Sequence, residues 1–421
     1  MVDPAGTTVP TPLAGRWRWA ALAVALCPWL WLAWRFNFLC DDAYITFRYA
    51  RNLAEGRGLI FNPGVDPPVE GYSEFLWAVV LAAGLKVGLA PMLLARVLSL
   101  AAGALLLHGT LRLLAWRSAR SPWATLGAAA FLGSLPPLAV WSTGGLASMP
   151  FAAAVLWLFL LLWEGEQPAA AWKLGLLGAV VALLRADGAW WVATILGTGI
   201  LSGLAERRPA LTRAATTGAI IAGAVFLAHL GWRWSTYGDW LPNTARVKIG
   251  LSARALERGG NYAVHFLLTF PGVLFALLTA GGAWNWRERR MGPALIVVAS
   301  TFVYAVLAGG DFMAFGRFLV PALPFVALVL GAGLSGIESR SGRLPVILIS
   351  AVCIATCLPS AFGSALTPIR WRAAFGFRHN DPDAMLRSER EQWSRMDAKA
   401  TEWVAQGRAL WIDSDPGDSL V

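Results

Sequence analysis

Apolar runs close to twenty residues long recur between residues 19 and 362 of this 421-residue chain, and that recurrence limits the folds open to it. A helix rises about 1.5 Å per residue, so roughly 20 apolar residues cross the ~30 Å core of a bilayer with every backbone hydrogen bond made internally. Hydrophobic residues are 57% of the chain and charged residues 14%, a mixture that a water-soluble core of this length does not need. The reading is an all-α polytopic membrane protein with the lipid bilayer as a partner. Helices are predicted over 19–39, 74–90, 93–116, 123–141, 147–163, 174–201, 214–231, 263–283, 292–309, 318–337 and 344–362, about eleven transmembrane spans.

Charge sets the expected topology. The net charge of +10 sits in short arginine clusters between apolar runs, without a contiguous basic stripe, so nucleic acid is not a partner. Arg16 and Arg18 precede a first run too long for a signal segment and lacking a small-residue cleavage site, so residues 1–18 read as a cytoplasmic tail before an uncleaved anchor. Arg207, Arg208 and Arg213, then Arg287, Arg289 and Arg290, then Arg340 and Arg343 all fall in cytoplasmic loops, and loops 40–73, 232–262 and 310–317 face outward. The alternation sends Arg117 and Arg120 outward against the rule; splitting both 93–116 and 174–201 into two short or re-entrant pieces keeps the later topology. Residues 363–421, charged and carrying Trp371, Trp393 and Trp403, read as a short periplasmic tail, and 19–362 as one membrane domain.

Polar groups held at helix ends cost energy and point to chemistry. Asp41 and Asp42 follow directly on the first span; adjacent carboxylates in a partly desolvated site repel, which raises at least one pKa and suits a general base. Equally, the pair fits the first turn of a following helix, since 41–51 has helical spacing and leads to Gly56, Gly58 and a proline-rich turn. Candidate cations for a phosphate are Arg48, Arg246, Lys248 and Arg317, all outward at headgroup depth. Arg185 and Asp187 interrupt a long apolar run with a spacing that allows a close pair, structural or substrate-binding. The four histidines share no motif, the four cysteines have no zinc-type spacing, and no phosphate-binding glycine loop occurs.

The segment DDAYITFRYARNLAEGRGLIFNPG followed by VEGYSEFLW resembles arabinofuranosyltransferase-type enzymes of the GT-C superfamily, as in mycobacterial cell-wall assembly and pilin arabinosylation. LLRADG (183–188) is similar to the family's R-P-D-G, YGDWLPNTARVK (237–248) to its Y-G-D-x-x-P-N-T segment, and GGDFMAFGRFLVPALP (309–324) to its G-G-D block ending in an Arg. The resemblance implies a GT-C fold with interfacial helices in the periplasmic loops of a bacterial inner-membrane protein. It also implies that Asp41 or Asp42 is the catalytic base and that Tyr237, Asp239, Asn243, Lys248, Asp311 and Arg317 belong to the donor and acceptor cavity. Two departures stand out: Ala147 where relatives tend to carry Glu, and Ala186 in place of the proline of R-P-D-G.

The reaction implied is transfer of a sugar, an arabinofuranose, from a polyprenyl-phosphate donor to a periplasmic glycan or glycoprotein acceptor. It requires no nucleotide sugar or organic cofactor; a requirement for a divalent metal stays open. The rival functions are a transporter or flippase of the lipid-linked sugar and a non-catalytic assembly subunit.

Overall fold

A computed structural model describes residues 15–37, 39–64, 67–118, 121–165, 167–243, 252–279, 291–311 and 313–375, with 401, 402 and 405. Arg246, Lys248, Arg120, the 287–290 cluster and most of the 363–421 tail lie outside the described residues.

The described chain is helical. In order it forms α1 (Gly15–Phe36), α2 (Asp41–Ala54), α3 (Phe75–Lys86), α4 (Pro91–Ser118), α5 (Pro122–Gly133), α6 (Pro136–Trp141), α7 (Ser148–Trp163) and α8 (Ala171–Leu184). Then come α9 (Gly188–Ala205), α10 (Pro209–Tyr237), α11 (Ala253–Thr269), α12 (Pro271–Leu278) and α13 (Met291–Leu307). A 3-10 segment (Ala314–Ala322) leads into α14 (Leu323–Ser341), followed by α15 (Arg343–Ala355), a second 3-10 turn (Leu358–Phe362) and α16 (Ile369–Ala374). Five of these helices, α4, α5, α6, α10 and α12, open on proline, whose fixed φ suits the first helical position and whose missing N–H would have had no intrahelical partner.

Among the described residues, six helices are long and apolar enough to cross a membrane, or seven if α11 and α12, bent by 89° at their junction, count as one. Ninety-four per cent of the apolar window in Phe315–Ser341 is buried, against 22% in Pro209–Tyr237. The bundle therefore wraps around α14, while α10 presents most of its surface outward.

Side-chain contacts define the two ends of the bundle. At one end Trp17 packs on Trp123 at 5.7 Å, Ser121 meets Ser335 at 2.8 Å, Arg343 covers Trp123, and Arg112 of α4 grips Glu164 after α7 through two hydrogen bonds of 2.7 and 2.6 Å. The α9–α10 turn shares this end, because Leu162 packs beside Gly199. This basic end gathers the starts of α1, α5 and α15 with the finish of α4, α7 and α14. The opposite end holds the first turn of α2, the α6–α7 connection and the segment before α14, where Cys40 N–H donates to Gly144 O at 3.1 Å.

Two expectations change, the span at 74–90 and the split of 93–116, while the split of 174–201 holds. Residues 74–90 do not form a span: α3 has 12 residues, about 18 Å, and its start at Glu74 and its turn into α4 both lie away from the basic end. Apolarity here serves packing against α2 and α4 rather than crossing. The run 174–201 is two helices, broken at Arg185–Asp187, whereas 93–116 is one unbroken helix of 28 residues. Because α4 finishes at the basic end, the backbone at Arg117 lies at the same end as Arg207, Arg213 and Arg343.

Candidate functional site

Asp41 and Asp42 begin α2, with Cys40 as the residue that caps it and both carboxylates in the first turn, where the positive end of the helix dipole favours them. Asp41 is exposed and Asp42 half-buried. Asp41 Oδ1 accepts the Asp42 N–H at 2.9 Å and lies 3.4 Å from Cys40 Sγ. The Cys40 sulfur is buried 3.7 Å from Met313 Sδ, and burial together with the two neighbouring aspartates pushes its thiol pKa up. The start of α2 thus packs against the segment that carries Asp311 and Arg317.

In and beside that segment lie two buried ion pairs. Asp311 accepts the Arg317 Nε–H at 2.8 Å. Asp187 accepts both the Nε–H and an Nη2–H of Arg185, at 2.8 and 3.0 Å. The guanidinium of Arg185 sits 5.2 Å and that of Arg317 5.5 Å from the centroid of one ring, Phe318, so motifs more than a hundred residues apart meet at this point. Arg185 also stacks on Phe151 and Arg317 on Trp141. Burying a lone guanidinium costs several kcal/mol, roughly, and a carboxylate partner with aromatic faces offsets that cost. Asp311 Oδ1 is buried with no hydrogen-bond partner among the described residues.

Local sequence explains the placement. Gly309 and Gly310, both at positive φ (73° and 70°), turn the chain after α13 so that Asp311 faces inward. Arg185 has extended backbone (φ −148°, ψ 147°) at the end of α8, and Gly188 lets α9 start hard against the backbone of Val181 and Ala182. The break is pinned from outside, since the Ala186 N–H donates to Ser73 O at 2.8 Å.

A second polar cluster borders the first through residues 70–74. Glu70 and Arg233, both 4% exposed, pair at 2.8 Å; burial raises the Glu70 pKa and Arg233 opposes the rise. Tyr237 donates to Leu59 O at 2.6 Å and meets Tyr72 at 3.2 Å. Tyr49 donates to Val69 O and accepts the Gly71 N–H. The Asn243 N–H reaches Glu70 O at 3.1 Å, and Asp239 Oδ1 accepts the Leu241 N–H. Arg48, exposed, donates to Phe61 O at 3.2 Å. Tyr237, Asp239 and Asn243 therefore belong with the loop that follows α2, while Arg185, Asp187, Asp311 and Arg317 assemble around Phe318.

Sequence reasoning missed Glu70, Glu74 and Arg233. Glu74 is 3% exposed; its Oε2 accepts the Ala147 N–H at 3.0 Å, and burial raises its pKa against the lowering fields of Arg185 and Arg317. The signal was present in VEGYSEFLW, two carboxylates within five residues of mostly apolar sequence. Among the described residues no three His, Cys, Asp or Glu side chains gather into a metal site.

No family model matches the chain. A terminal β-(1→2)-arabinofuranosyltransferase of Mycobacterium tuberculosis is 29% identical over 248 residues, 55% of this chain and 38% of that protein. The enzyme of the same name from Corynebacterium glutamicum is 28% identical over 344 residues, 71% of this chain and 48% of that protein. The chain thus spans less than half the length of these curated relatives. Among solved structures, ArnT from Cupriavidus metallidurans bound to undecaprenyl phosphate superposes with a TM-score of 0.55 at 16% identity, covering 86% of this chain and 68% of that one. The fold is that of an all-α polytopic membrane protein of GT-C type.

Proposed function

We propose that this protein is a membrane glycosyltransferase that moves a sugar, arabinofuranose, from a polyprenyl-phosphate carrier to a hydroxyl of a glycan or glycoprotein at the periplasmic face of a bacterial inner membrane. One observation carries the reading: two aspartates open a helix whose preceding residue, Cys40, touches Met313, in the segment that brings Arg317 beside Arg185 at one aromatic ring. The curated relatives named for arabinofuranosyl transfer support the sugar, and the neighbour bound to undecaprenyl phosphate supports the carrier.

In the proposed step Asp41 or Asp42 takes the proton from the acceptor hydroxyl. That oxygen forms a bond to the anomeric carbon as the bond from carbon to the phosphate oxygen breaks, and the electron pair leaves with the polyprenyl phosphate. Arg317 spends its Nε–H on Asp311, which fixes the guanidinium so that its terminal nitrogens meet the charge gathering on the leaving phosphate. Arg185, held at two nitrogens by Asp187, adds to the same positive field. Asp311 Oδ1, buried and without a hydrogen-bond partner among the described residues, accepts a sugar hydroxyl.

The topology of the proposal has eleven crossings: α1, α4, α5 with α6, α7, α8, α9, α10, α11 with α12, α13, Phe315–Ser341 and α15. The number equals the one read from hydropathy, but α3 leaves the set and α8 and α9 count separately. It puts the basic end in the cytoplasm and the aspartates in the periplasm.

The test is incubation of the purified protein with radiolabelled polyprenyl-phosphoryl arabinose and a glycan acceptor. Label leaving the lipid for a water-soluble product is the expected result. Intact donor that instead crosses the leaflets of a liposome would replace the transferase with a transporter.

A further inference from the structure

The turn between α9 and α10, at the basic end, borders an open cleft of about 580 Å³. Arg207 and Arg213 line it together with Thr212, Thr216 and Thr217, and among the described residues its lining holds no carboxylate. Glu206, next in the chain, faces Arg208 instead, at 3.9 Å. Arg207 has a left-handed backbone (φ 53°), a conformation unfavourable for a residue with a Cβ, and the turn is held by the Arg208 N–H donating to Gly203 O at 2.7 Å. The first turn of α10 has no side-chain cap, so the positive end of a 29-residue helix adds to the arginines.

Apolar surface continues from the cleft. Leu204 on its wall is 62% exposed, and Leu201 and Ile220, one turn further along the same helices, are 69% and 65% exposed. Both α9 and α10 are long and apolar enough to cross a membrane, which sets their shared turn at a bilayer surface with these three side chains toward the acyl region. A soluble anion would use the cations and hydroxyls alone; only a lipid uses both halves.

We propose that this cleft binds the phosphate of an anionic phospholipid from the leaflet at the basic end, with its acyl chains lying along Leu201, Leu204 and Ile220. The site is remote from the aspartates and does not depend on the transferase reading. Each arginine near a membrane surface contributes about fivefold in affinity for an anionic lipid, and the pair about thirtyfold.

Native mass spectrometry of the detergent-purified full chain, given equal phosphatidylglycerol and phosphatidylcholine of matched acyl length, tests it. The wild type should retain one phosphatidylglycerol about thirtyfold in preference. Arg207→Ala with Arg213→Ala should abolish that preference, and Arg207→Lys with Arg213→Lys should keep most of it. Excess inorganic phosphate should leave the bound lipid in place. Equal retention of the two lipids by the wild type, or a preference that survives the alanine pair, overturns the proposal. Displacement by phosphate alone makes the site one for a soluble anion and overturns the lipid assignment. If the alanine pair fails to fold, the wild-type preference and the phosphate competition still decide.

Discussion

Glu74 keeps its carboxyl wholly buried, where Oε2 accepts the Ala147 N–H at 3.0 Å and burial lifts its pKa above the usual carboxylate value. Glu74→Ala should destabilise the protein by about 1–3 kcal/mol, because it strands a buried N–H; Glu74→Gln keeps an acceptor and should not. A carboxyl whose pKa is raised on folding contributes its stability at low pH and loses it as pH rises through the folded-state value. The melting temperature of the Gln variant should therefore match or exceed the wild type at neutral pH, and the gap should close as pH falls towards 4.5. A gap that widens on acidification contradicts the assignment. Ala147 was visible in the sequence as a departure from the family pattern, but the contact with Glu74 was not. Its backbone N–H is the contact, and main-chain contacts leave no trace in residue identity.

The break between α8 and α9 does the work of assembling the site, and it rests on Asp187 and Gly188. Asp187→Asn leaves the Arg185 guanidinium buried without its charge partner and should cost about 3–5 kcal/mol, whereas Arg185→Met with Asp187→Leu should cost much less while abolishing activity. Gly188→Ala has no room for a Cβ against Val181 and Ala182 and should lower the yield of folded, monodisperse protein sharply. Polar residues in a long apolar run made this break legible in advance. Helix starts were less so: α10 begins at Pro209, five residues before the predicted 214, although proline at the first helical position was the available signal. The α3 segment misled for a physical reason, since an apolar helix that packs on its neighbours and one that crosses a bilayer have the same composition.

At the scale of the molecule, hydropathy reads the polytopic class and the arginine clusters give its expected sidedness, but among the described residues length and composition certify six helices as able to cross. The short helices α7, α8 and α13 acquire their place from neighbours, through contacts such as Arg112 with Glu164 that no local pattern encodes. The sidedness has a direct check: in intact cells a membrane-impermeant maleimide should label Asn243→Cys and spare Ser341→Cys, and the reverse pattern would invert the topology. The site itself was half legible. The motifs named Arg185, Asp187, Asp311 and Arg317, which meet at Phe318, and Asp41 and Asp42, which open the helix packed against that segment; the same motifs named Tyr237, Asp239 and Asn243, which hold the neighbouring loop. The most direct test is the single-turnover rate of arabinose transfer from polyprenyl-phosphoryl arabinose by Asp41→Asn and Asp42→Asn, with donor binding measured alongside. One of the two should lose roughly a hundredfold or more in rate while still binding the donor; wild-type rates in both would contradict the assignment of the base and with it the proposed reaction.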